Sequence, residues 1–165
     1  HMYAVLVILE LIGVVLLTYF LDVTSRAKAP EWVPPLYGAY VIVSGSMDPT
    51  IKVNDAIIIK RTDSTNINVG DVVTYKSTDP SFYGIMITHR VIDIVSENGE
   101  TKYVTKGDSN ATRDRNPVSI NQIYGKVVMR IPKLGYLQYF LATAYGWILA
   151  VVLPCVGIIV YDIIK

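Results

Sequence analysis

The sequence predicts a mainly β protein: a compact β-sheet domain with a transmembrane helix at each end. Composition gives the first indication, since 52% of the 165 residues are hydrophobic and only 18% are charged, an apolar balance for a single soluble domain. The second is placement, because the excess lies in two terminal runs. The third is the middle of the chain, where short β-branched and aromatic runs alternate with turn residues.

Taken in order, His1-Met2 reads as a cloning scar. Residues 3–22 form the first transmembrane helix. From Tyr3 to Leu21 the only charge is Glu10, and at about 1.5 Å per residue this run nearly crosses a hydrocarbon core of about 30 Å. It is longer than the apolar region of a cleaved secretory signal, and no small-x-small site follows closely, so it reads as an uncleaved anchor. Residues 23–39 form a membrane-proximal linker, in which Pro30, Pro34 and Pro35 bar a helix and Trp32 and Tyr37 suit the interface.

Residues 40–135 form the β-rich domain. Its expected strands are Tyr40 to Val43, Asp55 to Arg61, Val72 to Tyr75, Ile85 to Val95, Lys102 to Thr105 and Lys126 to Ile131. Two insertions interrupt them, Thr62 to Asn68 and Ser77 to Gly84, and Asn98-Gly99 is a hairpin turn signal. Residues 139–165 form the second transmembrane helix. The apolar run Leu141 to Ile164 has Tyr139, Phe140, Tyr145 and Trp147 around its start, as an aromatic interface belt would, with Pro154 inside it and Asp162 near its end. Two spans put both termini on one side of the bilayer and the middle region on the other. Arg26 and Lys28 alone would place that region in the cytoplasm, but long domains translocate largely regardless of flanking charge.

The net charge is +1, with the basic residues scattered among acids. That pattern lacks the basic stripe of a nucleic-acid-binding protein. The single cysteine, Cys155, lies in the second span and has no partner for an internal disulfide.

The residues that carry chemistry lie in the middle region. Ser44-Gly45-Ser46-Met47-Asp48-Pro49-Thr50 places a small hydroxyl between a glycine and a turn, just beyond a membrane-length segment. A serine hydroxyl needs a base to act as a nucleophile at neutral pH. Apart from His1 the chain has one histidine, His89 in Thr88-His89-Arg90-Val91, and imidazole is the side chain best matched to general-base work near neutrality. A carboxylate that fixes the imidazole tautomer would complete the set. The loop Lys106-Gly107-Asp108-Ser109-Asn110-Ala111-Thr112-Arg113-Asp114-Arg115 offers two, Asp108 and Asp114, and spacing does not choose between them. Asn110-Ala111-Thr112 is formally a glycosylation acceptor, but a glycan in this loop would obstruct a substrate, so Asn110 reads as structural.

The ordered set formed by Ser44 to Thr50, Asn54-Asp55, Val69-Gly70-Asp71-Val72-Val73, Thr88 to Val91, Lys106 to Asn110 and Arg113-Asp114-Arg115 closely resembles type I signal peptidases over about residues 41–130. Most bacterial and organellar members carry lysine where this chain has His89, whereas the archaeal and endoplasmic-reticulum branch carries histidine, and this chain resembles the latter. The resemblance implies that 40–135 is a serine protease domain with Ser46 as nucleophile, His89 as base, Asp114 as third member and Asp108 as a further important acid. It also implies that the Ser44 hydroxyl and the Ser46 backbone N–H form the oxyanion hole. Asn54-Asp55 departs from the glycine-aspartate of many relatives, which alters a turn rather than the chemistry. A second span at the C-terminus resembles some archaeal members.

The implied activity is removal of signal peptides from preproteins after small residues, as in Ala-x-Ala, by acyl-enzyme chemistry that needs no metal or cofactor. Its implied setting is the extracytoplasmic face of a multi-pass cell-membrane protein, or the endoplasmic-reticulum membrane in a eukaryote, with the lipid bilayer and the secretion translocon as partners and no nucleic acid. Two alternatives stand beside it. A non-catalytic, membrane-anchored β domain could bind extended peptide at a sheet edge without needing both Ser46 and His89. A repressor-type self-cleaving protease shares the Ser-Gly-Ser-Met-like signature but uses a lysine base and a DNA-binding region, for which the residues before 40 leave no room.

Overall fold

The computed structural model describes residues 34–164 together with Leu11, Val14, Val15, Thr18 and Leu21. The expected first transmembrane helix, apart from those five residues, and most of the linker lie outside the described residues. The rest is one antiparallel sheet of seven strands followed by helices.

The strands are β1 (Tyr37–Val41), β2 (Ala56–Lys60), β3 (Val72–Lys76), β4 (Met86–Glu97), β5 (Glu100–Lys106), β6 (Val118–Ser119) and β7 (Ile123–Ile131). Their order across the sheet is β1-β2-β7-β3-β4-β5-β6. Six strands were expected from the residue pattern and all six are present. The seventh, β6, is only a bridge from Val118 and Ser119 to Tyr103 and Lys102, too short to leave a period-2 signature. Strand β1 starts at Tyr37, inside the stretch read as linker, because pairing of Tyr37 with Lys60 and Gly38 with Ile59 extends it beyond its apolar core. The Asn98-Gly99 turn forms as expected between β4 and β5, with both residues in the left-handed region at φ 54° and 79°, as such a two-residue hairpin requires.

Two apolar clusters build the core. One gathers Ile67, Val73, Tyr75, Val91, Tyr103, Val118 and Ile123 over β3, β4 and β5. The other gathers Ile42, Met47, Ile51, Ile57 and Ile59 between β2 and the segment that follows β1. The two insertions carry short 3-10 turns, Ser64–Asn66 and Pro80–Phe82, each started by an aspartate side chain that accepts a backbone N–H, Asp63 from Thr65 and Asp79 from Ser81.

After β7 the chain forms α1 (Leu134–Leu141), α2 (Ala144–Trp147), a π turn (Ile148–Val152) and α3 (Leu153–Ile164). The stretch Ala144–Ile164 is a continuous helical path of 21 residues, long and apolar enough to cross a membrane. The helix of membrane length thus starts at Ala144, and 139–141 lie in a separate helix before it. Tyr139 and Phe140 belong to α1, because Thr143 is extended (φ −85°, ψ 152°) and its side chain caps the next helix by accepting from Gly146 N–H. The π turn lies just ahead of Pro154, whose missing N–H and ring cannot be fitted into regular α geometry.

Candidate active site

Ser46 is held by its neighbours in sequence. Asp48 N–H donates to Gly45 C=O at 3.1 Å and Ile51 N–H to Met47 C=O at 2.9 Å, so residues 45–51 wind into successive turns. Met47, 1% exposed, plugs the core beside Ile42, Ile51, Ile57 and Ile59. With the side chain after it anchored, Ser46 stays half-exposed at the rim. The Ser44 and Ser46 hydroxyl oxygens lie 3.4 Å apart, longer than a good O–H···O bond but close enough that both border the same space.

The loop segment ends at Asn54-Asp55, and both residues are tied down. Asn54 adopts φ 68°, a left-handed conformation that glycine takes freely and asparagine tolerates. Asp55, 2% exposed, accepts from Lys52 N–H at 2.8 Å, Arg130 Nε at 2.6 Å and Lys133 N–H at 3.0 Å. Burial opposes its charge, but these donors prevail and hold the carboxyl below its ordinary value of 3.8.

His89 lies in β4 opposite Val73 of β3 and is buried at 6% exposure. Its Nδ1 is 2.7 Å from Asp114 Oδ2. The same oxygen accepts from Thr105 Oγ1 at 2.6 Å and from the Tyr75 hydroxyl at 2.9 Å, and Asp114 N–H donates to Thr105 C=O at 2.8 Å. Burial works against an ionised Asp114, yet the hydrogen bonds from His89, Thr105 and Tyr75 outweigh it and keep the carboxyl below 3.8.

Asp108 is held elsewhere. Its two oxygens accept from Arg90 Nε at 2.8 Å and Nη2 at 2.7 Å, a bidentate pair, while Arg90 Nη1 donates to Gly70 C=O at 2.8 Å. Arg90 is the main cause that lowers the Asp108 carboxyl, and Asp108 in turn raises the guanidinium. The pair clamps the loop 107–110 to β4 and to the turn before β3. That loop also grips the serine segment, since Ser109 N–H donates to Ser46 C=O at 3.0 Å and Ser109 Oγ to Gly45 C=O at 2.8 Å. Gly107 is obligatory there, because a Cβ would lie 2.6 Å from Ser46 O.

One loop therefore holds the main chain of Ser46 with its first half and faces His89 with its second. The structure joins His89 to Asp114, brings Ser44 beside Ser46, and sets Asp108 against Arg90. Among the described residues no hydrogen bond links Ser46 Oγ to His89, and such bonds are commonly long before substrate arrives. An open cavity of about 510 Å³ is lined by Asp114, Ile87, Ser109, Arg113, Phe82 and Gln122 among others. No group of three or more His, Cys, Asp or Glu placed to hold a metal occurs among the described residues.

Arg90 and Asp55 stand in the sequence motifs without a role of their own, and residue patterns do not single out Tyr75 or Thr105 at all. These two are the ones the structure adds. Both lie in strands as ordinary inward-facing residues, and only the register that sets β3, β4 and β5 side by side reveals them.

A hydroxyl on a pinned turn, an imidazole with one nitrogen engaged by an anion, and a loop binding both is an arrangement suited to acyl transfer. Comparison with known proteins finds relatives over most of the chain. No protein-family model matches the chain. The signal peptidase complex catalytic subunit SEC11 of Verticillium alfalfae is 32% identical over 128 residues, covering 73% of this chain and 72% of that protein. Signal peptidase I W of Bacillus subtilis is 32% identical over 100 residues, 59% of this chain and 50% of that protein. An uncharacterised protein of Methanocaldococcus jannaschii is 28% identical, with shares of 61% and 82%. With that identity across most of its length, the chain belongs to the type I signal peptidase family.

Proposed function

We propose that this protein is a membrane-held serine endopeptidase of the histidine-based branch, which cuts signal peptides from preproteins by acyl-enzyme chemistry. Removal of signal peptides by a hydrolase follows from the family, and the serine nucleophile and histidine base are the proposal. The observation that carries it is the 2.7 Å contact between His89 Nδ1 and Asp114 Oδ2. A carboxylate on Nδ1 leaves Nε2 as the nitrogen free to take a proton.

In this reading Ser46 Oγ attacks the carbonyl carbon at the end of the signal segment while His89 Nε2 takes its proton. Asp114 stabilises the imidazolium so formed. The developing oxyanion is met by the Ser46 backbone N–H and the Ser44 hydroxyl, donors of a kind worth about 2.7–4 kcal/mol of barrier. Collapse breaks the C–N bond, and Nε2–H is delivered to the leaving amine. Water then attacks the acyl-enzyme, giving its proton to His89, and the signal peptide leaves as a carboxylic acid while Ser46 regains its hydrogen. Asp108 acts at one remove, through the clamp on Arg90 that fixes the loop against Ser46.

The preferred cut follows small residues, as in Ala-x-Ala, on the extracytoplasmic face of the membrane. The helix Ala144–Ile164 fits a membrane anchor, and a substrate confined to the same bilayer by its own apolar segment meets the site at raised effective concentration. The secretion translocon, which delivers such substrates, is the partner this placement suits. The test is to incubate the purified protein in detergent with a preprotein, beside Ser46→Ala and His89→Ala. Loss of processing in both variants is expected, and equal processing by all three would overturn the protease reading.

A further inference from the structure

Asp114 Oδ2 receives three donors from three adjacent strands: the Tyr75 hydroxyl of β3, His89 Nδ1 of β4 and Thr105 Oγ1 of β5. The register explains the convergence. Val73 faces His89 and Tyr75 faces Ile87 across β3 and β4, while Val91 faces Thr105 across β4 and β5, so Tyr75, His89 and Thr105 share one face of the sheet. Asp114 arrives over that face from the loop after β5. Its neighbours in that loop, Arg113 and Arg115, are exposed and make no ion pair among the described residues. The flanking side chains of the loop therefore do not aim the carboxylate through ion pairs.

We propose that Tyr75 and Thr105 are positioning residues, whose buried hydroxyls hold the Asp114 carboxylate as a fixed anion facing His89. The proposal rests on the reading of His89 as the base. The core itself does not need these two oxygens. Tyr75 packs its ring among Val73, Val91 and Tyr103, and Thr105 is fully buried, so phenylalanine and valine would fill the same space. A buried hydroxyl is costly unless it is bonded. Two of them, 4% and 0% exposed, are both spent on one carboxylate oxygen. The Thr105 hydrogen points to Asp114 at 2.6 Å, and its oxygen lies 3.3 Å from that of Tyr75, so the single phenolic hydrogen is left for Asp114 as well. Burial, reinforced by the Asp114 charge, raises the phenol above its ordinary 10, which keeps it a donor throughout the neutral range.

Such a cradle matters most when His89 gains its proton, because a carboxylate already oriented needs no reorganisation at that moment. Its effect should thus be confined to the transition state, lowering kcat and kcat/KM together and leaving KM unchanged.

The test uses the full chain in detergent with a preprotein, measuring kcat and KM for Tyr75→Phe, Thr105→Val, the double variant and Thr105→Ser. Each of the first two is expected to lower kcat on the order of tenfold, as loss of one hydrogen bond to a charged group would, with KM within about twofold. Thr105→Ser, which restores the hydroxyl, is expected to recover most of the loss. A purely structural role would lower the melting temperature without this split and without the rescue. If Thr105→Val does not fold, Tyr75→Phe decides alone. The proposal is overturned if Tyr75→Phe keeps kcat within twofold, or if Thr105→Ser is as impaired as Thr105→Val. His89→Ala separates this failure from that of the underlying reading: full activity there removes the base itself, whereas an inactive His89→Ala beside active Tyr75→Phe and Thr105→Val removes only the cradle.

Discussion

Replacing Asp114 with asparagine removes a charge while nearly preserving shape. The amide oxygen can still accept from Thr105, Tyr75 and His89, whose donors lie 2.6, 2.9 and 2.7 Å from the present carboxylate oxygen. What disappears is the attraction between an anion and the imidazolium that forms in the transition state. Two unit charges centred about 4 Å apart interact by about 4 kcal/mol at an effective dielectric constant of about 20. At about 1.36 kcal/mol per tenfold, that is roughly a thousandfold in kcat. If the amide NH₂ turns toward Nδ1 instead, the ring is held in the wrong tautomer and the loss is larger. The assay is single-turnover cleavage of a preprotein by saturating enzyme, with Asp108→Asn run beside it and circular dichroism to confirm that both variants fold. Asp108→Asn breaks the pair with Arg90 but leaves Asp114 on His89, so it should lose about tenfold through loosened positioning of the serine loop. A loss below tenfold for Asp114→Asn, or equal losses for the two variants, would refute the assignment of Asp114 to the base.

Gly107→Ala should reduce kcat on the order of a hundredfold with the fold retained, since its Cβ would lie 2.6 Å from Ser46 O and must displace the serine turn; wild-type turnover would contradict the close approach. Asp55→Asn should cost about 3 kcal/mol, because it leaves Arg130 and two backbone N–H groups poorly paired. That corresponds to a fall of about 12–24 °C in the melting temperature of a domain of this size, read by differential scanning fluorimetry. The depressed carboxyls of Asp55, Asp108 and Asp114 set the acid limit. Each is lower in the folded than in the unfolded state, so its stabilisation is fully present above the ordinary value of 3.8 and is lost as pH falls below it. Urea midpoints should accordingly drop as pH falls from about 4 towards 2, and less steeply for Asp55→Asn than for the wild type.

Local signals were legible where one or two residues decide the structure. Asn98-Gly99 made its turn because both positions need positive φ, and Thr88 to Val91 sat in a strand because alternation places one face inward. Elements fixed by long-range pairing were not legible. The strand at Val118 and Ser119 exists only because Tyr103 and Lys102 present a free edge to it. Likewise Asp108 and Asp114 share one loop and similar neighbours, and their different partners follow from the placement of Arg90 and His89 on opposite faces of β4, one residue apart. Adjacent strand residues point to opposite faces, so once the register is known the choice of acid follows. At Asn54 the φ of 68° is a left-handed conformation that glycine takes freely and asparagine tolerates, a local requirement that one residue can meet.

The loop that carries Ser46 is bound by a short path to the end of the domain that leads into the apolar helix. It closes on Asp55, whose carboxylate takes Arg130 near the end of β7 and the backbone N–H of Lys133 just before α1. Gly135 N–H adds a bond to Asn54 C=O at 2.9 Å, and a Cβ on Gly135 would lie 2.8 Å from that oxygen. Helix α1 then leads within a few residues to the apolar helix Ala144–Ile164. A flexible tether would let the serine wander over many ångströms, whereas these contacts fix the loop to the residues from which the apolar helix departs. For an enzyme whose substrate is itself held in the membrane, the depth of the peptide bond and the height of the nucleophile must agree. If Ser46 is that nucleophile, as proposed, the carboxylate of Asp55 is where this chain sets its height.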